Sequence, residues 1–156
     1  MKRNGMLFIR YSILFSALVF AFLSCTKKSS GSNTVTYVLS GDGSGAQEVS
    51  AVSTGGTGTI TGTLDGTTNV LTYNLTWTNL SGPATAAHIH GPALAGTNAN
   101  VIIPFTVNNN GTSGSASGST SITEAQKTDL LAGKWYWNVH TTAHGGGEIR
   151  GQISAH

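Results

Sequence analysis

From Thr57 to Leu64 the chain alternates without a break. Gly58, Ile60, Gly62 and Leu64 fall on one side, and Thr57, Thr59, Thr61 and Thr63 on the other. A period of two is that of a strand with one buried face. Val70 to Trp77 repeats the pattern, with Leu71, Tyr73, Leu75 and Trp77 set against Thr72, Asn74 and Thr76. Between the two runs, Asp65-Gly66 to Asn69 carries the turn residues of a hairpin. Val35 to Leu39, Val101 to Val107, Gly114 to Ile122, Trp135 to Thr141 and Glu148 to Ser154 read as further strands. Pro104 has no N–H to give a neighbour, which places its strand at an edge or a bulge. One segment breaks the period. Thr123-Glu124-Ala125-Gln126 is a capping box, Leu130 and Leu131 supply an apolar side, and Gly133 is a stop, which together predict one short helix. Many short strands, Gly-rich turns and a single small helix make an all-β fold, an antiparallel Greek-key-like sandwich or barrel.

The N-terminus has a different pattern. Lys2, Arg3 and Arg10 precede an apolar run from Ser12 to Leu23, and Phe22-Leu23-Ser24-Cys25 closes it. A basic start, a short apolar stretch and small residues at its end describe a secretory signal, and the run is short for a bilayer core of about 30 Å. Cys25 is the one cysteine of the chain, so no internal disulfide can form. The closing segment resembles a bacterial lipobox, which implies that Cys25 becomes the lipid-modified first residue. The expected organisation is a lipoprotein signal peptide (1–24), a flexible Ser/Gly tether (25–33) and one β domain (34–156). Thr26 is not an aspartate and no acidic run follows. By the same resemblance, the expected address is the cell envelope, at the outer membrane of a Gram-negative bacterium, with the membrane reached through the lipid anchor.

Losing the signal changes the charge. The whole chain has 8 Lys+Arg against 6 Asp+Glu, a formal net of +2. Lys2, Arg3 and Arg10 leave with the signal, so 5 basic and 6 acidic residues remain, a net of −1. Without a basic patch, nucleic acid is excluded as a partner class. Charged residues are only 9% of the chain and glycines number 21, a composition that strand periodicity keeps from reading as disorder.

The candidate chemistry lies in histidines. Ala87-His88-Ile89-His90-Gly91-Pro92 puts two imidazoles on one strand face, and Asn138-Val139-His140 can bring a third. Ile89 and Val139 face the other way, as do Trp135 and Trp137, and these are natural core residues. His88, His90 and His140 are therefore expected on the outer, loop-covered face. Convergent imidazoles suit copper or zinc and not calcium. The alternative is that they make ordinary structural hydrogen bonds. His144, in the Gly-rich loop that follows, is a candidate fourth ligand, or else a surface residue. Glu148 and Arg150 alternate with Ile149 and are expected on the histidine side, as an ion pair orienting an imidazole or as a surface pair of little energy. Glu48 is another group that could reach that face. No Ser-His-Asp context and no phosphate-cradling loop is present, so no catalytic residue is assigned.

Several segments together resemble the chordin-type domain, or CHRD domain. They are Leu39-Ser40-Gly41 with Gln47-Glu48-Val49, the hairpin from Gly56 to Trp77, Ala87 to Pro92, the helix from Thr123 to Gly133, and Tyr136 to Ile153 with its GGEIRGQI. The resemblance spans residues 36 to 154 and implies an exported or membrane-attached β domain, immunoglobulin-like or superoxide-dismutase-like in fold. Gly41-Asp42-Gly43-Ser44-Gly45 departs from the pattern as an insert that lengthens a turn. A more distant resemblance is to Cu/Zn superoxide dismutase, on the His-x-His strand, the later Val-His and the Gly-rich last strand. Carried over, it makes His88, His90 and His140 match three copper ligands. The cysteine pair, the bridging His and Asp set and the anion-guiding arginine of that family have no counterpart here.

Three functions follow as alternatives. The first is a non-catalytic binding or interaction module of the envelope, facing a protein or other ligand there and holding copper or zinc through the three histidines. The second is a copper-dependent redox enzyme resembling the dismutase. The third is a structural envelope domain without a ligand.

Overall fold

The structure, a computed structural model, describes residues 34–107 and 111–156. The signal, Cys25 and the tether lie outside the described residues. Eight strands follow one another as β1 (Thr36–Ser44), β2 (Thr57–Asp65), β3 (Val70–Thr78), β4 (Ala84–His90), β5 (Val101–Pro104), β6 (Gly114–Ser121), β7 (Trp135–Thr141) and β8 (Ile149–Ala155), with helix α1 (Glu124–Leu131) between β6 and β7. They form one antiparallel ladder in the order β5-β4-β7-β8-β1-β2-β3-β6. The ladder curls on itself. The Tyr73 ring of β3 stacks on Phe105, just past β5 at the opposite end, with centroids 4.7 Å apart. This is the all-β sandwich or barrel class expected from the period-two segments.

The hairpin β2–β3 has the expected parity. Ile60, Leu64, Leu71, Leu75 and Trp77 are buried, while the threonines between them face water. Asp65 stabilises the turn by accepting from the backbone N–H groups of Thr67 and Thr68 through one carboxylate oxygen, and Asn69 takes a left-handed φ of 56°. Pro104 sits on β5, an edge strand of the ladder, where a missing N–H costs no sheet bond. The helix starts as its capping box requires. Thr123 Oγ1 accepts from Gln126 N, and Gln126 Oε1 accepts from Thr123 N. Gly133, at φ +67°, ends it.

One expectation is corrected. The glycines of Gly41 to Ser44 belong to β1 and do not lengthen a turn, since Gly41, Gly43 and Ser44 pair with Ile60, Gly58 and Thr57 of β2. The reason lies in the core. Trp137 of β7 is fully buried, and its indole extends across Gly151 of β8, Gly43 of β1 and Gly58 of β2. A methyl group on any of these glycines would come within 3 Å of the ring. Trp137 Nε1 donates to Gly41 O at 3.0 Å, so the ring is held at its polar end as well. Glycine in these strands makes room for a large aromatic side chain.

Candidate metal centre

Register brings the histidines together. β4 and β7 pair with His88 opposite Asn138, His90 opposite Tyr136 and Ala86 opposite His140. The small Ala86 leaves the His140 ring free to lean one step along the ladder toward His88. His88 Nδ1 and His140 Nε2 are 3.0 Å apart. Among the described residues, His88, His90 and His140 form a group whose ligand atoms lie within 4.8 Å of one another. Ile89 and Val139 between them are fully buried on the other face, as parity requires.

The outer face is roofed by the loop from Gly91 to Asn100, and four side chains of that face, Gln152, Arg150, Tyr136 and His90, hold it. Gln152 donates to Ala93 O at 2.9 Å. Arg150 donates to Thr97 O and to Asn98 Oδ1 at 2.7 and 3.1 Å. Tyr136 Oη accepts from Ala99 N at 3.1 Å. The Arg150 guanidinium lies 3.3 Å from the Tyr136 ring centroid, and the other neighbour of that ring is His90, stacked at 4.8 Å with 3° between planes. Arg150 is only 1% exposed. Its buried charge is offset by these hydrogen bonds, by the aromatic face and by the nearby Glu48 carboxylate.

The protons of the cluster can be placed by elimination. His90 Nδ1 is 3.0 Å from Ala99 O, and His140 Nδ1 is 3.0 Å from Gly145 O. A carbonyl only accepts, so both Nδ1 atoms carry the hydrogen. In the neutral rings each Nε2 then holds a bare lone pair, and both are 3.0 Å from the same atom, Asn138 Oδ1. The amide nitrogen of Asn138 is turned the other way, toward the carboxylate of Glu48; burial raises the Glu48 pKa, and Asn138 is the least of the groups that oppose the rise. Asn138 Oδ1 thus faces two Nε2 lone pairs and has no hydrogen to give either. The one ring hydrogen within reach is on His88, whose Nδ1 is 3.0 Å from His140 Nε2. The His90 contact is therefore left as lone pair against lone pair unless a proton or a cation stands there. A second proton on His88 or His140 is disfavoured. Burial, aided by the neighbouring histidines, pushes the His88 pKa down to about 4, and burial also lowers that of His140.

The other sequence candidates are placed as follows. Arg150 is on the histidine side, opposite Asn138 in the β7–β8 ladder. Glu148 is not. It precedes the first residue of β8, in the turn where Gly147 has φ +128°, so strand parity does not govern it. Its carboxylate accepts from Thr54 Oγ1, Ser81 N, Ser81 Oγ and Thr141 Oγ1 at 2.6–2.7 Å. Burial pushes its pKa up, but these four bonds outweigh that and hold it at about 2. Its role is to bind loops together, not to orient an imidazole. Glu48, which the sequence left without a definite place, is buried beside Arg150 and Asn138. Burial raises its pKa and the Arg150 charge opposes the rise. His144 stands outside the three-histidine group, and its backbone closes a turn with Thr141. Asn138 and Tyr136 carried a usable signal, the shared parity with His140, but neither residue type announces a site by itself.

The architecture is that of an all-β domain whose curled antiparallel sheet has a histidine cluster on its outer face, beneath a loop. The chain matches the CHRD domain family over residues 39–153, and it belongs to that family. Comparison with curated proteins and with solved structures gave no match. Among the described residues, no helix is long and apolar enough to cross a membrane.

Proposed function

We propose that this CHRD domain is a non-catalytic binding module of the cell envelope, lipid-anchored through Cys25 at the outer membrane, that holds a copper or zinc ion with His88, His90 and His140. One observation carries the reading. Two imidazoles have their Nδ1–H groups committed to backbone carbonyls, and their Nε2 atoms converge on Asn138 Oδ1, an acceptor with no hydrogen to offer, beside His88 Nδ1. Metal-ligating histidines are commonly oriented by such a bond from the second ring nitrogen. The 3.0 Å between His88 Nδ1 and His140 Nε2 is near the separation of about 3.3 Å that two nitrogens on a tetrahedral zinc would have. When bound, the ion would tie β4 to β7 and replace the missing donors with a positive charge.

The test is metal content. Full-length chain purified in detergent is expected to hold one copper or zinc per molecule, and His88→Ala and His140→Ala to lose it. A protein that takes up neither ion at neutral pH refutes the reading. The same three imidazoles also fit the alternative, a copper redox enzyme resembling superoxide dismutase. A dismutation rate abolished by His88→Ala would favour it over the binding module.

A further inference from the structure

We infer that Asn138 supplies the fourth ligand of this site through its amide oxygen, and that Glu48 is the positioning residue that keeps that oxygen turned inward. The inference rests on the three-histidine reading and adds to it a closed coordination shell.

Asn138 Oδ1 is 3.0 Å from Nε2 of both His90 and His140. That is close to the spacing of neighbouring ligand atoms around one ion, and it matches the 3.0 Å between His88 Nδ1 and His140 Nε2; the histidine set as a whole, within 4.8 Å, draws in on binding. Asn138 is 3% exposed, so its amide has no water to turn toward. An amide side chain has two orientations of nearly equal shape, and its surroundings choose between them. Here Glu48 chooses. Its buried carboxylate lies against Asn138 Nδ2, and the reverse orientation would set a carbonyl oxygen against a carboxylate. The attraction to Nδ2–H also draws electron density to Oδ1, which makes it a better donor to a cation. Gly147 completes the fit. A side chain there would collide with Glu48 Oε1 and Asn138 Nδ2 together.

A shell of three nitrogens and one oxygen leaves no open position. Structural and storage sites for zinc are closed in this way, whereas catalytic ones keep a place for water or substrate. The oxygen also explains why no fourth histidine is needed from the Gly-rich loop.

The test uses full-length protein loaded with Cu²⁺ and counts exchangeable water on the ion by oxygen-17 water relaxation, alongside metal affinity by competition with a chelator. The wild type is expected to show no exchangeable water. Asn138→Ala is expected to gain one and to bind about 10- to 100-fold more weakly. Glu48→Gln, which keeps shape but removes the charge that selects the amide orientation, is expected to fall between them, with metal stoichiometry unchanged. If the wild type binds one ion through its histidines yet carries a bound water, and Asn138→Ala binds equally well, the fourth-ligand assignment is overturned while the three-histidine site stands. If the wild type binds no ion, both are overturned. Should Asn138→Ala fold poorly, the water count on the wild type decides alone.

Discussion

His140 Nε2 lies 3.0 Å from His88 Nδ1, although 52 residues separate them in the chain. Neither is directly opposite the other in the ladder. Asn138 faces His88, Ala86 faces His140, and the rings meet diagonally across the gap that the alanine leaves. Ala86→Leu would fill that gap. It is expected to push the His140 ring away and weaken copper or zinc binding by at least 10-fold, with all ligands still present. Calorimetric titration of the folded variant checks this, and unchanged affinity would show that the lean of His140 is not set by its neighbour.

The pH dependence of the metal-free protein has a definite sign. His88 has its pKa pushed from 6.5 down to about 4, so between these values the unfolded chain binds the proton that the folded one refuses. Stability therefore falls as pH drops through that window. Glu148 extends the loss, because its pKa is near 2 when folded against 4.5 as the ordinary value. Its contribution is complete above 4.5 and disappears as pH falls toward 2. Thermal unfolding of metal-free protein between pH 7 and 3 is expected to show a steady decline in Tm. His88→Asn should flatten the upper part and leave the lower part.

Glu148 itself is a structural keystone. It is fully buried, and four donors from three segments converge on it. Glu148→Gln replaces an ionised acceptor by a neutral amide whose own N–H groups face donors. A loss of about 3 kcal/mol is expected in denaturant unfolding, with little change in metal stoichiometry. Arg150 should behave differently. Arg150→Met keeps much of the bulk but releases Thr97 and Asn98, so it is expected to loosen the roof loop, seen as faster amide exchange at residues 97–99.

The helix offers a smaller check. Thr123→Ala removes one half of the capping box and is expected to cost about 1 kcal/mol. A loss of that size without any effect on metal binding would show that α1 packs independently of the site.

Much of this was legible in the sequence, and the exceptions have physical causes. The hairpin β2–β3, the edge position of Pro104, the helix with its box, and the outward parity of His88, His90 and His140 all follow from local periods and caps. Glu148 escaped because alternation holds only within a strand, and it lies one residue before β8 begins. Gly41 to Ser44 escaped because closely spaced glycines look like a turn when the ring that fills their space comes from Trp137, nearly 100 residues later. Glu48 reached the site from an irregular segment, where no periodicity exists to aim a side chain.

Trp137 and the glycines of β1, β2 and β8 are thus one packing unit written in four places of the chain. Adding a methyl to Gly43 or Gly151 alone should be damaging, by about 1–3 kcal/mol or more, and shrinking the indole alone should leave a void costing about 3–5 kcal/mol. Made together, a smaller ring and a larger floor residue can compensate each other. Urea denaturation of Trp137→Phe, Gly151→Ala and their combination is expected to show the double variant more stable than the sum of the single losses allows. In a lineage of such domains, those positions would be free to drift only in concert.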